Sequence, residues 1–407
     1  MRRNRSLENA VAFVGRKNSG KTTLVTKLIS ALNEEGCVVS SVKHHGHCGF
    51  EIDHPGKDSF RHHEAGTRAT AVLSPDKFAL TEDRLTELSC AEAVSLLPES
   101  NIVIIEGFRR ASFPTVELAR AENPRDVEAV PTLIHSLESS SAQEGTAPIA
   151  FVTNIPELER AAHHHGVRTF GFEDIRALTL FVKERFFHPF LTVAIQAGGE
   201  SKRMGTSKAL VPYLGKPMIE HVLNRLDPLA TETIITANEP DKLEYLKLRY
   251  PHVHLIPDDT QSRGALPGLI TALSHASHDL VAIAACDMTN VSPELISYEA
   301  DVLAKTGAGV CIPCIEGYVE PLSAVYRRAP AEQAARAAFE SGDRRLRSVV
   351  ESLDAVYLEP TKCTLVNSLA FTNANTPQEL AQAEEQAQAR AMQEYERLMA
   401  LWYPEEE

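Results

Sequence analysis

The sequence lacks any apolar run close to the roughly 20 residues that a membrane-spanning helix needs, so no membrane association is expected. The opening residues carry Arg2, Arg3 and Arg5 but no long apolar stretch before Gly15, so no secretory leader is expected. Cysteine is sparse and odd in number: seven, scattered through 407 residues. A disulfide framework is not expected from that pattern, and a reducing, cytoplasmic compartment is. Cys311 and Cys314 have C-x-x-C spacing without a second pair or a nearby His-x3-His, so core thiols are the simpler assignment. Positive charge is in deficit: 41 Lys and Arg against 55 Asp and Glu, a formal net charge of −14. General nucleic-acid binding depends on neutralising many phosphates and is not expected; a local site for one small polyphosphate is compatible.

What is present is ordinary globular composition, 43% hydrophobic and 24% charged, which argues against disorder of the whole chain. At roughly 150 residues per domain the length predicts two or three domains. Short apolar strands are predicted at 10–14, 37–42, 69–73, 102–105 and 149–153, with helical stretches between them. That alternation predicts a parallel sheet covered by helices. Ser136 to Pro148 reads as a surface loop, and a helix from about Ile175 to Phe187 closes the region. Pro189 disfavours helix at His188 and marks the boundary. Further strands are predicted at 191–195, 233–237, 253–256, 280–285 and 309–312. Near the C-terminus, Leu380, Ala383, Ala387, Ala391, Tyr395, Leu398 and Trp402 recur every three or four positions. They predict one face of a packed helix, with a partner-binding helix as the alternative.

Gly15-Arg-Lys-Asn18-Ser19-Gly20-Lys21-Thr22-Thr23 has the spacing G-x-x-x-x-G-K-[ST], after a predicted strand and before a predicted helix. The glycines let successive backbone N–H groups face phosphate oxygens. Lys21 is predicted to reach the β- and γ-phosphates and Thr22 to ligate Mg²⁺, with the helix N-terminus adding favourable charge. Glu106 ends an apolar strand, where a phosphate-binding loop needs an acid near the metal. Between the two motifs lies a polar cluster of Lys43, His44, His45, His47, Cys48, Asp53, Lys57, Asp58, Arg61, His62 and His63. Its spacing fits no standard zinc pattern, and an anion-facing or switch-like loop is preferred. His163, His164 and His165 read as a solvated helix end.

The runs VGRKNSGKTTLVTKLISAL, VKHHGHCGFEIDHPGKDSFRHHEAGT and IVIIEGFRRASFPTVELAR resemble the MobB family, GTP-binding adaptors of molybdopterin-guanine dinucleotide biosynthesis. The resemblance covers about residues 8 to 187. It implies GTP binding, slow hydrolysis and a role assisting a partner enzyme.

A second glycine loop, Gln196-Ala197-Gly198-Gly199 followed by Arg203, Gly205 and Lys208, lacks that spacing and is a different phosphate device. Small residues allow close approach of a nucleotide to the backbone. Arg203 and Lys208 can neutralise a triphosphate and the charge that develops as pyrophosphate leaves. Asp287, at the end of an apolar strand, stands where an open α/β sheet holds its ligand and is the predicted Mg²⁺ ligand. Each residue alone has an ordinary structural explanation, as a surface cation or a strand-end cap; their combination with the glycine loop points to nucleotide chemistry.

This loop, with GKPMIEHVLNRL, ITANEP, IPDDTQSRGALPGL, ACDMTNVSP, EPLSAVYRR, GDRRLRSVV and FTNANTP, resembles the molybdenum cofactor guanylyltransferase (MobA) family over about residues 191 to 382. The resemblance implies that Gln196, Ala197, Gly198, Lys208, Asn238, Asp258 and Asp287 bind GTP, and that Asp287 also binds Mg²⁺. Family members often carry Leu at 196, Asp at 207, GPLAG over 264–268 and Pro at 285, where this chain has Gln, Ser, GALPG and Ala.

The expected architecture is therefore α/β in two domains. A P-loop NTPase-type parallel-sheet domain at 1–188 is followed by a Rossmann-like nucleotidyltransferase domain at 190–382, then a C-terminal helix and acidic tail at 383–407. The expected reaction transfers GMP from GTP to (molybdo)molybdopterin with release of pyrophosphate. Expected catalytic residues are Arg203, Lys208 and Asp287; Thr22 and Glu106 are expected metal ligands in the first domain. Molybdoenzyme apoproteins and their chaperones are the implied partners. A cytidylyltransferase, a sugar-phosphate nucleotidyltransferase and a non-catalytic scaffold are the alternatives.

Overall fold

The computed structural model describes residues 8–46, 49–109, 112–139, 147–198, 207–258, 264–366, 378–385, 387–389 and 392. The chain divides into two compact units at His188–Pro189.

In the N-terminal unit the strands are β1 (Ala10–Gly15), β2 (Val39–Lys43), β3 (Ala69–Leu73), β4 (Phe78–Glu82), β5 (Ile102–Glu106), β6 (Thr115–Ala119), β7 (Ala150–Thr153) and β8 (Arg168–Phe170). Six of them form a parallel sheet in the order β2-β5-β1-β6-β7-β8. The unbroken apolar runs of β1 and β5 suit a sheet covered on both faces. Val11 and Phe13 pack on one side with Leu24, Leu28 and Leu32. Ala10, Ala12 and Val14 pack on the other with Val94 and Phe113. The helix Lys21–Glu34 buries Leu24, Val25, Leu28 and Leu32 along one face. Leu28 and Leu32 are fully buried, and truncating either to Ala costs about 2–5 kcal/mol.

Beyond the added strands β4 and β8, two features depart from the sequence-based expectation. The strand at 69–73 is present, but it pairs only with β4, in a separate antiparallel hairpin. Its apolar residues Val72 and Leu73 are exposed, so it gains nothing from the sheet core. Conversely, β6 was not anticipated, because Thr-Val-Glu-Leu-Ala carries an acid at its centre. Glu117 is nonetheless buried, held by Arg109 through two bonds of 2.6 and 2.7 Å. The helix Ile175–Phe186 matches the predicted one and contributes Leu178, Phe181 and Val182 to the core.

In the C-terminal unit the strands are β9 (Leu191–Gln196), β10 (Pro212–Tyr213), β11 (Lys216–Pro217), β12 (Glu232–Ala237), β13 (His254–Pro257), β14 (Leu280–Ala285), β15 (Val310–Ile315), β16 (Tyr318–Val319), β17 (Ser323–Arg327) and β18 (Ala355–Leu358). Its large sheet is mixed, in the order β13-β12-β9-β14-β17-β15-β16, with β18 beside β15. β13, β12, β9 and β14 run parallel, and β17 runs antiparallel to β14 and β15. Alternate residues of β9 and β14 enter two cores, one on each face. The helix Pro293–Thr306 starts at Ser292, whose Oγ accepts from the Leu295 N–H at 3.1 Å, and ends at Gly307 with φ 74°.

Cys311 and Cys314 both lie on β15, where residues three apart face opposite sides. Cys311 is fully buried, and burial pushes its thiol pKa up. Among the described residues no cluster of three or more His, Cys, Asp or Glu could hold a metal. Residues 378–385 are helical, and Leu380, Ala383 and Ala387 pack on Val211, Tyr213 and Met218. That is the packed helix the spacing predicts; Ala391, Tyr395, Leu398 and Trp402 lie outside the described residues. Among the described residues no helix is long and apolar enough to cross a membrane.

Candidate nucleotide sites

The first site forms where β1 runs into the helix Lys21–Glu34. The turn needs two left-handed residues, Asn18 at φ 70° and Gly20 at φ 85°, and Asn and Gly tolerate that conformation best. Gly15 has no room for a side chain: a Cβ there would lie 2.6 Å from Ser19 Oγ and 2.9 Å from the Leu118 carbonyl. Ser19 is fully buried and its hydroxyl donates to the Arg16 carbonyl at 2.8 Å. The Lys21 ammonium donates to the carbonyls of Gly15 at 2.8 Å and Arg16 at 2.6 Å, folding over the loop. Burial lowers its pKa, opposed by the charges of Glu106 and Asp126.

Thr22 and Glu106 come together from 84 residues apart, the Thr22 hydroxyl donating to Glu106 Oε1 at 2.6 Å. Lys43 Nζ donates to the same carboxylate oxygen at 3.0 Å and to Thr22 Oγ1 at 3.2 Å. A hydroxyl and a carboxylate are the hard oxygen donors that Mg²⁺ takes, and the lysine shows that the pair attracts a cation. Thr23 is exposed on the first helical turn. Of the histidine-rich segment, His44 is brought to this edge: its N–H bonds the Glu106 carbonyl at 2.9 Å and its ring lies 4.2 Å from that of Phe108. His62 and His63 are exposed on the helix Asp58–Glu64, and His47 and Cys48 lie outside the described residues. His163, His164 and His165 are exposed at a helix end, as expected.

The second site lies at the carboxyl ends of β13, β12, β9 and β14. The Cys286 N–H donates to the Gln196 carbonyl at 3.1 Å, which fixes Asp287 beside the glycine loop. Asp287 is buried, and its Oδ2 pairs with Lys208 Nζ from a short 3₁₀ turn 79 residues earlier. Asn238 Nδ2 donates to the Gly198 carbonyl. Asp258 converges on the same glycine: a Cβ on Gly198 would meet Asp258 Oδ2 at 2.9 Å and Asn238 Nδ2 at 3.0 Å. Ala197 is buried, and its N–H bonds the Thr236 carbonyl at 2.8 Å.

Gln196 differs from these. Oriented to satisfy both its ends, its amide donates to the Ala265 carbonyl at 3.2 Å and accepts from the Leu269 N–H at 3.0 Å. Its side chain thus anchors the helix Ala265–His275 instead of facing the cluster. Arg203 and Gly205 lie outside the described residues. Glu320 was not anticipated. Burial raises its pKa, the Leu322 N–H lowers it and the charge of Asp287 raises it further, so a second carboxyl neighbours Asp287. In the sequence it is marked only as the first residue of EPLSAVYRR, just before β17.

The family model for the MobA-like NTP transferase domain matches residues 193–356, and that for molybdopterin guanine dinucleotide synthesis protein B matches residues 10–135. A "Probable molybdenum cofactor guanylyltransferase" of Natranaerobius thermophilus is 30% identical over 200 residues, covering 47% of this chain and 94% of that protein. One of the same name from Natronomonas pharaonis is 32% identical over 198 residues, covering 48% of this chain and 96% of that protein. A "Probable molybdopterin-guanine dinucleotide biosynthesis adapter protein" of Bacillus subtilis is 34% identical over 121 residues, covering 30% of this chain and 69% of that protein.

Proposed function

This chain belongs to the molybdenum cofactor guanylyltransferase family, with a MobB-family domain ahead of the transferase, and on that premise we propose a bifunctional protein of molybdenum cofactor maturation. Its C-terminal unit transfers GMP from GTP to (molybdo)molybdopterin. Its N-terminal unit binds GTP as an adaptor. The observation that carries the transferase reading is the meeting of Lys208 and Asp287 from separate segments at the carboxyl edge of β9 and β14.

The reaction joins a phosphate oxygen of the pterin to the α-phosphorus of GTP and breaks the bond between that phosphorus and the bridging oxygen of the β-phosphate. The bonding pair leaves with pyrophosphate. The nucleophilic phosphate is anionic near neutral pH, so no strong base is needed, and catalysis is alignment and charge neutralisation. Lys208 screens the triphosphate charge, with Arg203 as the second cation. Gly198 gives the nucleotide close access to the backbone, and Asn238 and Asp258 border that surface. Asp287 would hold Mg²⁺, and its buried carboxylate with Glu320 nearby is a donor set that suits a hard cation. Bound there, the ion supplies positive charge to the phosphates. In the N-terminal unit Thr22 and Glu106 would hold the equivalent ion.

Pyrophosphate release from GTP, CTP and ATP, each with Mg²⁺ and molybdopterin, tests this function. The proposal expects release with GTP well above the other two. Preference for CTP would make the protein a cytidylyltransferase, and no release with any nucleotide would leave a scaffold.

A further inference from the structure

Beside the phosphate-binding loop stands a cation whose hydrogen-bond donors the fold does not use. β6 flanks β1 on the side away from β5, and Gly15 pairs with Leu118 in that register. Two residues beyond Leu118, Arg120 leaves the sheet alongside the loop. Its backbone N–H donates to Asp126 Oδ2 at 3.0 Å, and the same oxygen accepts from Asn123 Nδ2 at 2.9 Å. Asn123 Nδ2 also donates to the Lys17 carbonyl at 3.0 Å, which ties this turn to the loop.

The guanidinium is placed from two directions. Phe172, packed against the core just beyond β8, has its ring centroid 4.0 Å from Arg120 Cζ. On Gly20 a Cβ would lie 3.1 Å from Arg120 Nη2 and 3.5 Å from Cζ, so the guanidinium stands against the loop backbone itself. Arg120 Nε is buried without a hydrogen-bond partner. Among the described residues the guanidinium makes no hydrogen bond and no ion pair. Native folds rarely leave a buried donor unpaired without a reason. The stack on Phe172 occupies a face of the guanidinium, whereas its five N–H donors lie in the plane. Free in-plane donors on a fixed cation, next to converging backbone N–H groups, suit a phosphate oxygen.

The sheet order says which phosphate. Thr22 and Glu106 meet on the β5 side, and the ion they would hold bridges the β- and γ-phosphates. The γ end of the triphosphate therefore lies toward β5 and the α end toward β6. Resting on the reading that Gly15–Thr23 holds a nucleoside triphosphate, we propose that Arg120 is a binding residue of that site, its guanidinium donating to a non-bridging oxygen of the α-phosphate. Lys21 holds the outer phosphates and Arg120 the inner one, which GTP and GDP share. Its contribution is the same for both nucleotides.

The test titrates the full chain with GTP, GDP and the two diastereomers of GTP that carry sulfur at a non-bridging α-position. Only binding abolished by Lys21→Ala is counted, which separates this site from the transferase site. Sulfur accepts hydrogen bonds poorly, so one diastereomer is expected to bind the wild-type chain about 10-fold more weakly than the other. Arg120→Met is expected to weaken GTP and GDP by one common factor, about 10- to 100-fold, and to bind both diastereomers alike. Thermal denaturation without nucleotide separates that loss from unfolding. Arg120→Lys, which keeps the charge but not the fork, is expected to fall between. Where Arg120→Met does not fold, the wild-type gap between diastereomers and its narrowing in Arg120→Lys decide. A loss confined to GTP would place Arg120 at the γ-phosphate. A wild-type chain indifferent to the diastereomer, or a gap that survives in Arg120→Met, would leave the Phe172 stack purely structural. Each of these overturns the inference and leaves the phosphate-binding loop standing. Absence of any Lys21-dependent binding overturns the loop reading, and the inference with it.

Discussion

Replacing Lys208 by Met removes a charge while keeping most of the side chain's volume, and the structure sets what should follow. Lys208 and Asp287 form an ion pair whose side chains are 17% and 9% exposed. Breaking a buried pair from one side costs about 3–5 kcal/mol, because the other charge is left alone. Lys208 keeps some water, so about 1–3 kcal/mol is the appropriate range here. For a unit of this size each kcal/mol lowers the melting temperature by about 2–4 °C, so a drop of about 2–12 °C is expected. The catalytic effect is separable. Loss of one charge-stabilising group costs about 10²- to 10³-fold in kcat. The double variant Lys208→Met/Asp287→Asn leaves no isolated charge, so it should regain most of the lost stability while transferring no faster than the single variant. Thermal denaturation and pyrophosphate release on the three variants and the wild type measure both effects. A stable Lys208→Met with unchanged kcat, or a double variant that recovers transfer, would refute the reasoning.

Three further outcomes follow from particular contacts. Gly15→Ala puts a Cβ 2.6 Å from Ser19 Oγ; it should destabilise the N-terminal unit by about 1–3 kcal/mol, and an unchanged melting curve would mean that the loop has slack. Glu106→Gln keeps the 2.6 Å partnership with Thr22 in shape but not in charge; Mg²⁺-GTP affinity at the Lys21-dependent site should fall about 10- to 100-fold, and undiminished Mg²⁺ dependence would exclude Glu106 as the cation-facing acid. Glu299 is fully buried, and burial raises its pKa well above the ordinary carboxyl value of 4.5. The unfolded chain releases this proton above about pH 4.5 while the folded chain retains it, so stability falls as pH rises from there to the folded pKa, by about 1.4 kcal/mol per pH unit. Glu299→Gln should flatten that slope and melt higher at pH 8; an unaltered slope in denaturant titrations would show that Glu299 is ionised in the fold.

Much of this was legible because burial on both faces of a parallel strand leaves a plain trace. β1, β5, β9 and β14 are unbroken apolar runs, and the loops that follow them carry the motifs. Pairings across long sequence separations were also inferable where a motif named both partners: Thr22 with Glu106, and Lys208 with Asp287. What was not legible depends on three-dimensional compensation. Glu117 sits inside a strand because Arg109, eight residues away, neutralises it. Ala69–Leu73 reads as a sheet strand by composition, yet composition does not say whether the partner is the sheet or the neighbouring β4. Gln196 carries polar chemistry at the glycine loop, but the backbone of the helix Ala265–His275 takes it up. Glu320 was given no role from the sequence, and only the pairing of β17 with β14 brings it near Asp287.

The central claim is that one cleft at the ends of β9 and β14 transfers a guanylyl group. Incubating the full chain with Mg²⁺, molybdopterin and GTP labelled separately at the α- and γ-phosphorus, and following product mass and label together, tests it directly. The account predicts a molybdopterin-guanine dinucleotide that retains the α-label, with the γ-label entirely in pyrophosphate. Label released only as inorganic phosphate, with the pterin unchanged in mass, would contradict it.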